Sequence, residues 1–227
     1  VEILIIVVIV GLIVAGAIYN HKQAEKRRQA LLALAARHGW QFSEAKDYDI
    51  EGRYAAFPCL QRGSARYAYN LLQGPVPQGQ VCAFDYHFET YSTDDKGNTS
   101  TTHHYFSTLV LDTNLPLRPL LIRAETLFDK IGEFFGHDDI DFESDEFSRT
   151  FCVKAEDRRW AFDVISQSTM EFLLAAPRFT IEFAGSSIMA YREGTFEALD
   201  FEQALAVIAG IVDRLPQEVL RESKAPG

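Results

Sequence analysis

Apolar positions follow three successive patterns along the chain. Residues 3–19 form an unbroken apolar run, ILIIVVIVGLIVAGAIY, with no charged side chain. These 17 residues would extend about 25 Å as a helix at about 1.5 Å each. That is the short end of what a hydrocarbon core of about 30 Å requires. Residues 22–38, KQAEKRRQALLALAARH, are strong helix formers with an apolar patch at Leu31, Leu32, Leu34 and Ala35. Gly39 stands where a C-terminal cap would. From Trp40 the period falls to two. Strands are predicted over residues 40–42, 50–55, 66–72, 81–90, 103–112 and 120–123. Turn-forming clusters separate them, among them residues 73–77 (QGPVP) and 93–98 (TDDKGN). Residues 81–90 alternate most cleanly, with Phe84, Tyr86 and Phe88 to one side and Asp85, His87 and Glu89 to the other. This spacing predicts an antiparallel meander.

Beyond residue 123 helices and strands mix. A helix is predicted over residues 125–135, then an acidic turn over 137–146 and a strand over 147–154. Residues 157–175 read as one helix closed by Pro177, and residues 179–183 and 187–192 as a hairpin. Residues 201–215 read as a last helix with Asp200 as its N-cap. No repeat or low-complexity linker divides residues 40–215. The expectation is an α+β fold, an N-terminal transmembrane helix followed by one antiparallel-sheet domain with several packed helices. Its parts are a transmembrane helix (1–20), a basic juxtamembrane helix (21–39), a single α+β cytoplasmic domain (40–216) and a flexible tail (217–227).

Charge changes this picture by giving it a direction. Residues 20–38 carry five basic and one acidic side chain, and residues 39–227 carry 17 basic and 30 acidic. The membrane-proximal basic residues Lys22, Lys26, Arg27 and Arg28 follow the apolar run, so the positive-inside rule puts the C-terminal side in the cytoplasm of a bacterial inner membrane. Ala15-Gly16-Ala17 resembles a signal-peptide cleavage site, but a signal peptide carries its positive charge ahead of the apolar run. The net charge of −10 disfavours nucleic acid as a partner. Three cysteines fit a reducing compartment better than a disulfide framework. Gly11 and Ala15 have a small-xxx-small spacing that permits helix association, hence an oligomer.

Candidate chemistry is sparse. If the 93–98 turn closes a hairpin, His103 or His104 faces Glu89, and His87, Glu89 and His103 become a candidate metal site. A solvent-facing polar strand surface would carry the same pattern. Asp138, Asp139, Asp141, Glu143 and Asp145 form an acidic stretch, read as a calcium loop or a partner-facing surface. The glycine of a calcium loop is missing there, since Ser144 holds its place. Arg149, Lys154, Arg158 and Arg159 are placed to pair with those acids. Cys59, Cys82 and Cys152 lie in apolar sequence, and no serine sits on a nucleophile elbow. The chain has no phosphate-binding glycine loop, HExxH or CxxC. Cofactors and catalytic residues therefore stay unassigned.

The stretch FFGHDDIDFESDEFSRTFCVKAEDRRWAFDVISQSTMEFLL, with VCAFDYHFET before it and GIVDRLP after it, resembles an uncharacterised family of bacterial membrane-anchored proteins. The resemblance implies a bacterial source and an N-terminal anchor, and it brings no activity with it. The resulting expectation is a membrane-anchored cytoplasmic binding or adaptor domain, an accessory component of a membrane assembly. Its partners would be the lipid bilayer, through residues 3–19, and a membrane protein. The alternative is a metal-dependent or pocket-based enzyme acting on a membrane-proximal substrate.

Overall fold

The computed structural model describes residues 2–125 and 139–216. The predicted helix over 125–135, Asp138 and the predicted tail lie almost entirely outside the described residues. Eight strands form one sheet in the order β1-β2-β3-β4-β8-β7-β5-β6, with every neighbouring pair antiparallel. The strands are β1 (Gln41–Ser43), β2 (Ser64–Val76), β3 (Gly79–Thr93), β4 (Thr99–Asp112), β5 (Leu120–Ala124), β6 (Phe151–Ala155), β7 (Thr180–Ala184) and β8 (Ser187–Glu193). The β7–β8 hairpin slots between β4 and β5, joining the long N-terminal meander to the shorter C-terminal strands.

Both faces of the central strands are buried. On one face Ala83, Leu109, Leu111, Ile122, Val153, Ile181 and Ala190 meet helices α1 (Glu2–His38), α4 (Arg158–Val164), α5 (Gln167–Ala175) and α6 (Ala198–Val212). On the other, Phe84, Tyr86, Phe88, Val110 and Met189 are covered by Ile50, Tyr54, Phe57 and Leu60. The cover is helix α2 (Ile50–Arg53) and a 3-10 turn at Pro58–Gln61, where a strand was expected. Ile50 and Tyr54 lie four residues apart, across α2 and its C-terminal cap, and the extended Phe57 ahead of the 3-10 turn joins them on the sheet. The expected strand over 147–154 likewise starts as helix α3 (Asp145–Thr150), whose Ser144 cap accepts the Phe147 N–H at 3.2 Å. The single helix expected over 157–175 is two. Asp157 caps α4, and Ser166 opens α5 by accepting from the Thr169 N–H. Asp200 is the third residue of α6 rather than its cap. It completes a capping box with Glu197.

The transmembrane expectation requires correction. Among the described residues no helix is long and apolar enough to cross a membrane. The apolar run ends at Tyr19, about 5 Å short of a 30 Å hydrocarbon core. The helix then continues without a break into Asn20, His21 and Lys22. Residues 2–38 are one helix of 37 residues whose two halves have different surroundings. Leu31, Leu34 and Ala35 are buried against the sheet, whereas Leu12, Ile13 and Tyr19 are exposed.

Candidate functional site

The long hairpin of β3 and β4 carries the site. At its tip, Asp94 Oδ1 accepts from the Lys96 and Asn98 N–H groups, and Gly97 takes φ +82°. A turn centred on Lys96 sets Glu89 opposite His103 and His87 opposite Tyr105. Directly opposed residues share a face, so the two imidazoles and the carboxylate meet. His87 Nε2 lies 3.1 Å from His103 Nδ1, which lies 3.3 Å from Glu89 Oε1. One ligand atom from each of the three residues falls within 4.8 Å of the others.

His87 is 3% exposed and held on all sides. Its ring stacks on Tyr67 at 4.6 Å and contacts Tyr105 at 4.9 Å. Its Nδ1 lies 3.2 Å from the Ala65 carbonyl. A carbonyl only accepts, so Nδ1 carries the proton, and Nε2 is the ring nitrogen that faces His103. A bulge in β2 puts that carbonyl there. Register shifts between Ser64 and Tyr67, and Ala65 takes φ +49°, a conformation rare for a residue with a Cβ. Gly63 makes the approach of β2 possible, since a Cβ on it would stand 2.2 Å from the Glu89 carbonyl oxygen. The second Glu89 oxygen accepts from the Tyr91 hydroxyl at 2.8 Å. In front of the three side chains is an open cavity of about 340 Å³ lined by Lys46, Tyr48, Arg66, Tyr67 and Tyr105. Lys46 Nζ rests 3.8 Å from the Tyr67 ring centre, and Arg66 is bound to Glu51.

Asp85, on the same face of β3, does different work. It is fully buried and accepts four hydrogen bonds, two from Arg27, one from Asn70 at 2.8 Å and one from Ser107 at 2.5 Å. All four acceptor positions of the carboxylate are thus used. Arg27 Nε also donates to the Phe196 carbonyl at 2.8 Å, and Ser107 Oγ accepts the Phe196 N–H. A second β2 bulge, with Asn70 at φ +52°, aims that amide at Asp85. One carboxylate therefore ties α1, β2, β3, β4 and the approach to α6. The expected basic neck is split by this lock. Arg27 turns inward, Arg28 pairs with Glu44 and Glu25, and Lys22 and Lys26 are exposed.

In the acidic stretch Asp139, Asp141, Glu143 and Asp145 are exposed, while Ile140, Phe142 and Phe147 are buried between them. Asp139 lies 3.4 Å from Lys154 Nζ and accepts from the Cys152 thiol at 3.2 Å. Glu125 joins Asp139 and Cys152 in a second cluster of ligand-type atoms within 4.8 Å. Burial first, and then Asp139, push the Cys152 thiol up to about 11, so it is neutral at physiological pH and a poor nucleophile. Burial also raises the Cys82 thiol, and all three cysteines are buried. Sequence reasoning named His87, Glu89 and His103. It missed Ala65, Tyr67 and Tyr105, which reach His87 only through the β2 bulge and the β4 register, and it missed the Arg27–Asp85 pair.

No family model matches the chain, and no curated protein matches it. A solved structure does resemble it, the crystal structure of the mycobacterial trehalose monomycolate transport factor A, TtfA. The likeness covers 83% of this chain and 95% of that one, with a TM-score of 0.57 and 12% sequence identity. At that identity the shared property is the fold, and the chain folds like this transport factor.

Proposed function

We propose that the protein is an accessory binding domain of a membrane assembly, held at the cytoplasmic face of the membrane by the apolar first half of α1. One observation carries this reading. Ile9, Leu12, Ile13, Val14, Ile18 and Tyr19 are each at least half exposed on a helix whose other half is locked to the sheet. Soluble surfaces rarely display so continuous an apolar patch. Each such side chain gains about 1.5–3 kcal/mol on leaving water. Lys22 and Lys26 stand just beyond the patch, where anionic headgroups attract cations, while the acidic body is repelled. An odd count of three cysteines, all buried, suits a reducing compartment. The name of the structural relative, a transport factor, agrees with accessory work at a membrane. The enzyme alternative has one observation in its favour, the convergence of His87, Glu89 and His103 at an open cavity.

Flotation of the full chain with phospholipid vesicles tests the proposal. The protein should rise with vesicles containing anionic lipid and less with zwitterionic ones. Leu12→Glu with Ile13→Glu should leave it at the bottom of the gradient. A full chain that stays at the bottom with both vesicle types would refute the attachment.

A further inference from the structure

The cluster on the hairpin has the dimensions of a coordination site. Zinc binds imidazole nitrogen at about 2.0–2.1 Å and carboxylate oxygen at about 2.0–2.2 Å. Two such ligands at a tetrahedral angle sit about 3.3 Å apart. The His87–His103 and His103–Glu89 separations are 3.1 and 3.3 Å. The third edge, between His87 and Glu89, lies within 4.8 Å, and the second Glu89 oxygen accepts from Tyr91. We propose that His87 Nε2, His103 Nδ1 and Glu89 Oε1 bind a divalent transition metal of the zinc class, with a fourth position open to the cavity. The inference does not depend on the membrane attachment, because none of these residues lies on α1.

Three features around the ligands support it. The donor set is two imidazoles and one carboxylate, which suits zinc and its neighbours better than calcium or magnesium. The buried histidine gives its other N–H to a backbone carbonyl, as metal-bound histidines almost always do. That carbonyl is delivered by Ala65 at φ +49°, a conformation that residues with a Cβ rarely adopt. Strain of this kind concentrates where a side chain must be aimed. The Tyr67 and Tyr105 rings flank His87, and Lys46 stands beside Tyr67. The open position therefore faces an aromatic wall bearing a cation, which favours water or a small anion as fourth ligand.

The test uses the full chain, without a histidine tag, after chelator treatment. Titration with cobalt should give visible absorption bands typical of tetrahedral cobalt, saturating at one equivalent, and zinc should displace it. His103→Ala, at an exposed side chain, and Glu89→Gln, which keeps the size of its side chain, should each weaken cobalt binding at least tenfold. His104→Ala should leave it unchanged, because His104 stacks on Phe88 on the opposite face. Absent or substoichiometric cobalt bands in the unmodified protein would overturn the proposal. So would His103→Ala and Glu89→Gln proteins that bind like the parent, since the contacts among these three side chains would then share a proton and not a metal.

Discussion

Ala65 and Asn70 take the same left-handed backbone conformation, at φ +49° and +52°, yet they bear it differently. Asn70 tolerates that region and uses its side chain there, donating to Asp85. Ala65 contributes its carbonyl alone, and its exposed methyl makes the conformation costly. Ala65→Gly should therefore stabilise the protein by about 1 kcal/mol, since relief of strain outweighs the extra freedom of glycine in the unfolded chain. Chemical denaturation measures this, and a loss of stability would show that the methyl group packs usefully. Asn70→Ala should act in the opposite direction, because it removes a partner of a buried carboxylate. Neither bulge was legible in the sequence. A residue at positive φ is recognisable beforehand when it is glycine, and here it is not.

At the scale of elements, α1 is one helix doing two jobs, and the Arg27–Asp85 pair marks where they meet. Arg27→Ala leaves the buried Asp85 carboxyl group short of two donors. It should cost about 3–5 kcal/mol and free α1 from the sheet. Urea unfolding and limited proteolysis near residue 39 would report both effects, and a change below about 1 kcal/mol would exclude a docking role. Arg27→Met combined with Asp85→Asn should lose less than the sum of the single changes, since the two groups are coupled. The apolar patch over residues 31–35 was legible as a docking surface because its helical spacing is local. The arginine's destination was not, because a basic side chain after an apolar run reads the same whether it meets lipid or a carboxylate 58 residues away. The hairpin is the contrasting case. Its turn residues and its alternation are both local, so the sequence narrowed the partner of Glu89 to His103 or His104, and the structure chose His103 by centring the turn on Lys96.

For the molecule as a whole, strand order governs stability. The last hairpin, β7 with β8, pairs with β4 on one side and β5 on the other, so the sheet is continuous only when the C-terminal third is in place. A chain ending at residue 178 would leave β4 with a bare apolar edge and lose α6 from the core. It should show no cooperative unfolding transition by circular dichroism, whereas the full chain should show one. A cooperative transition in the fragment would mean that the N-terminal meander folds alone. The sequence by itself determined the α+β composition, most strand positions, the antiparallel hairpin and, to within one position, the histidine opposite Glu89, because alternation and turn chemistry act over a few residues. The tertiary structure alone decided that β8 inserts beside β4, that residues 50–60 cap a second core, that Arg27 belongs to Asp85 and that a bulge at Ala65 fixes His87. Those are pairings between segments far apart in the chain, selected by which surfaces and charges can be buried together, and no local pattern encodes them.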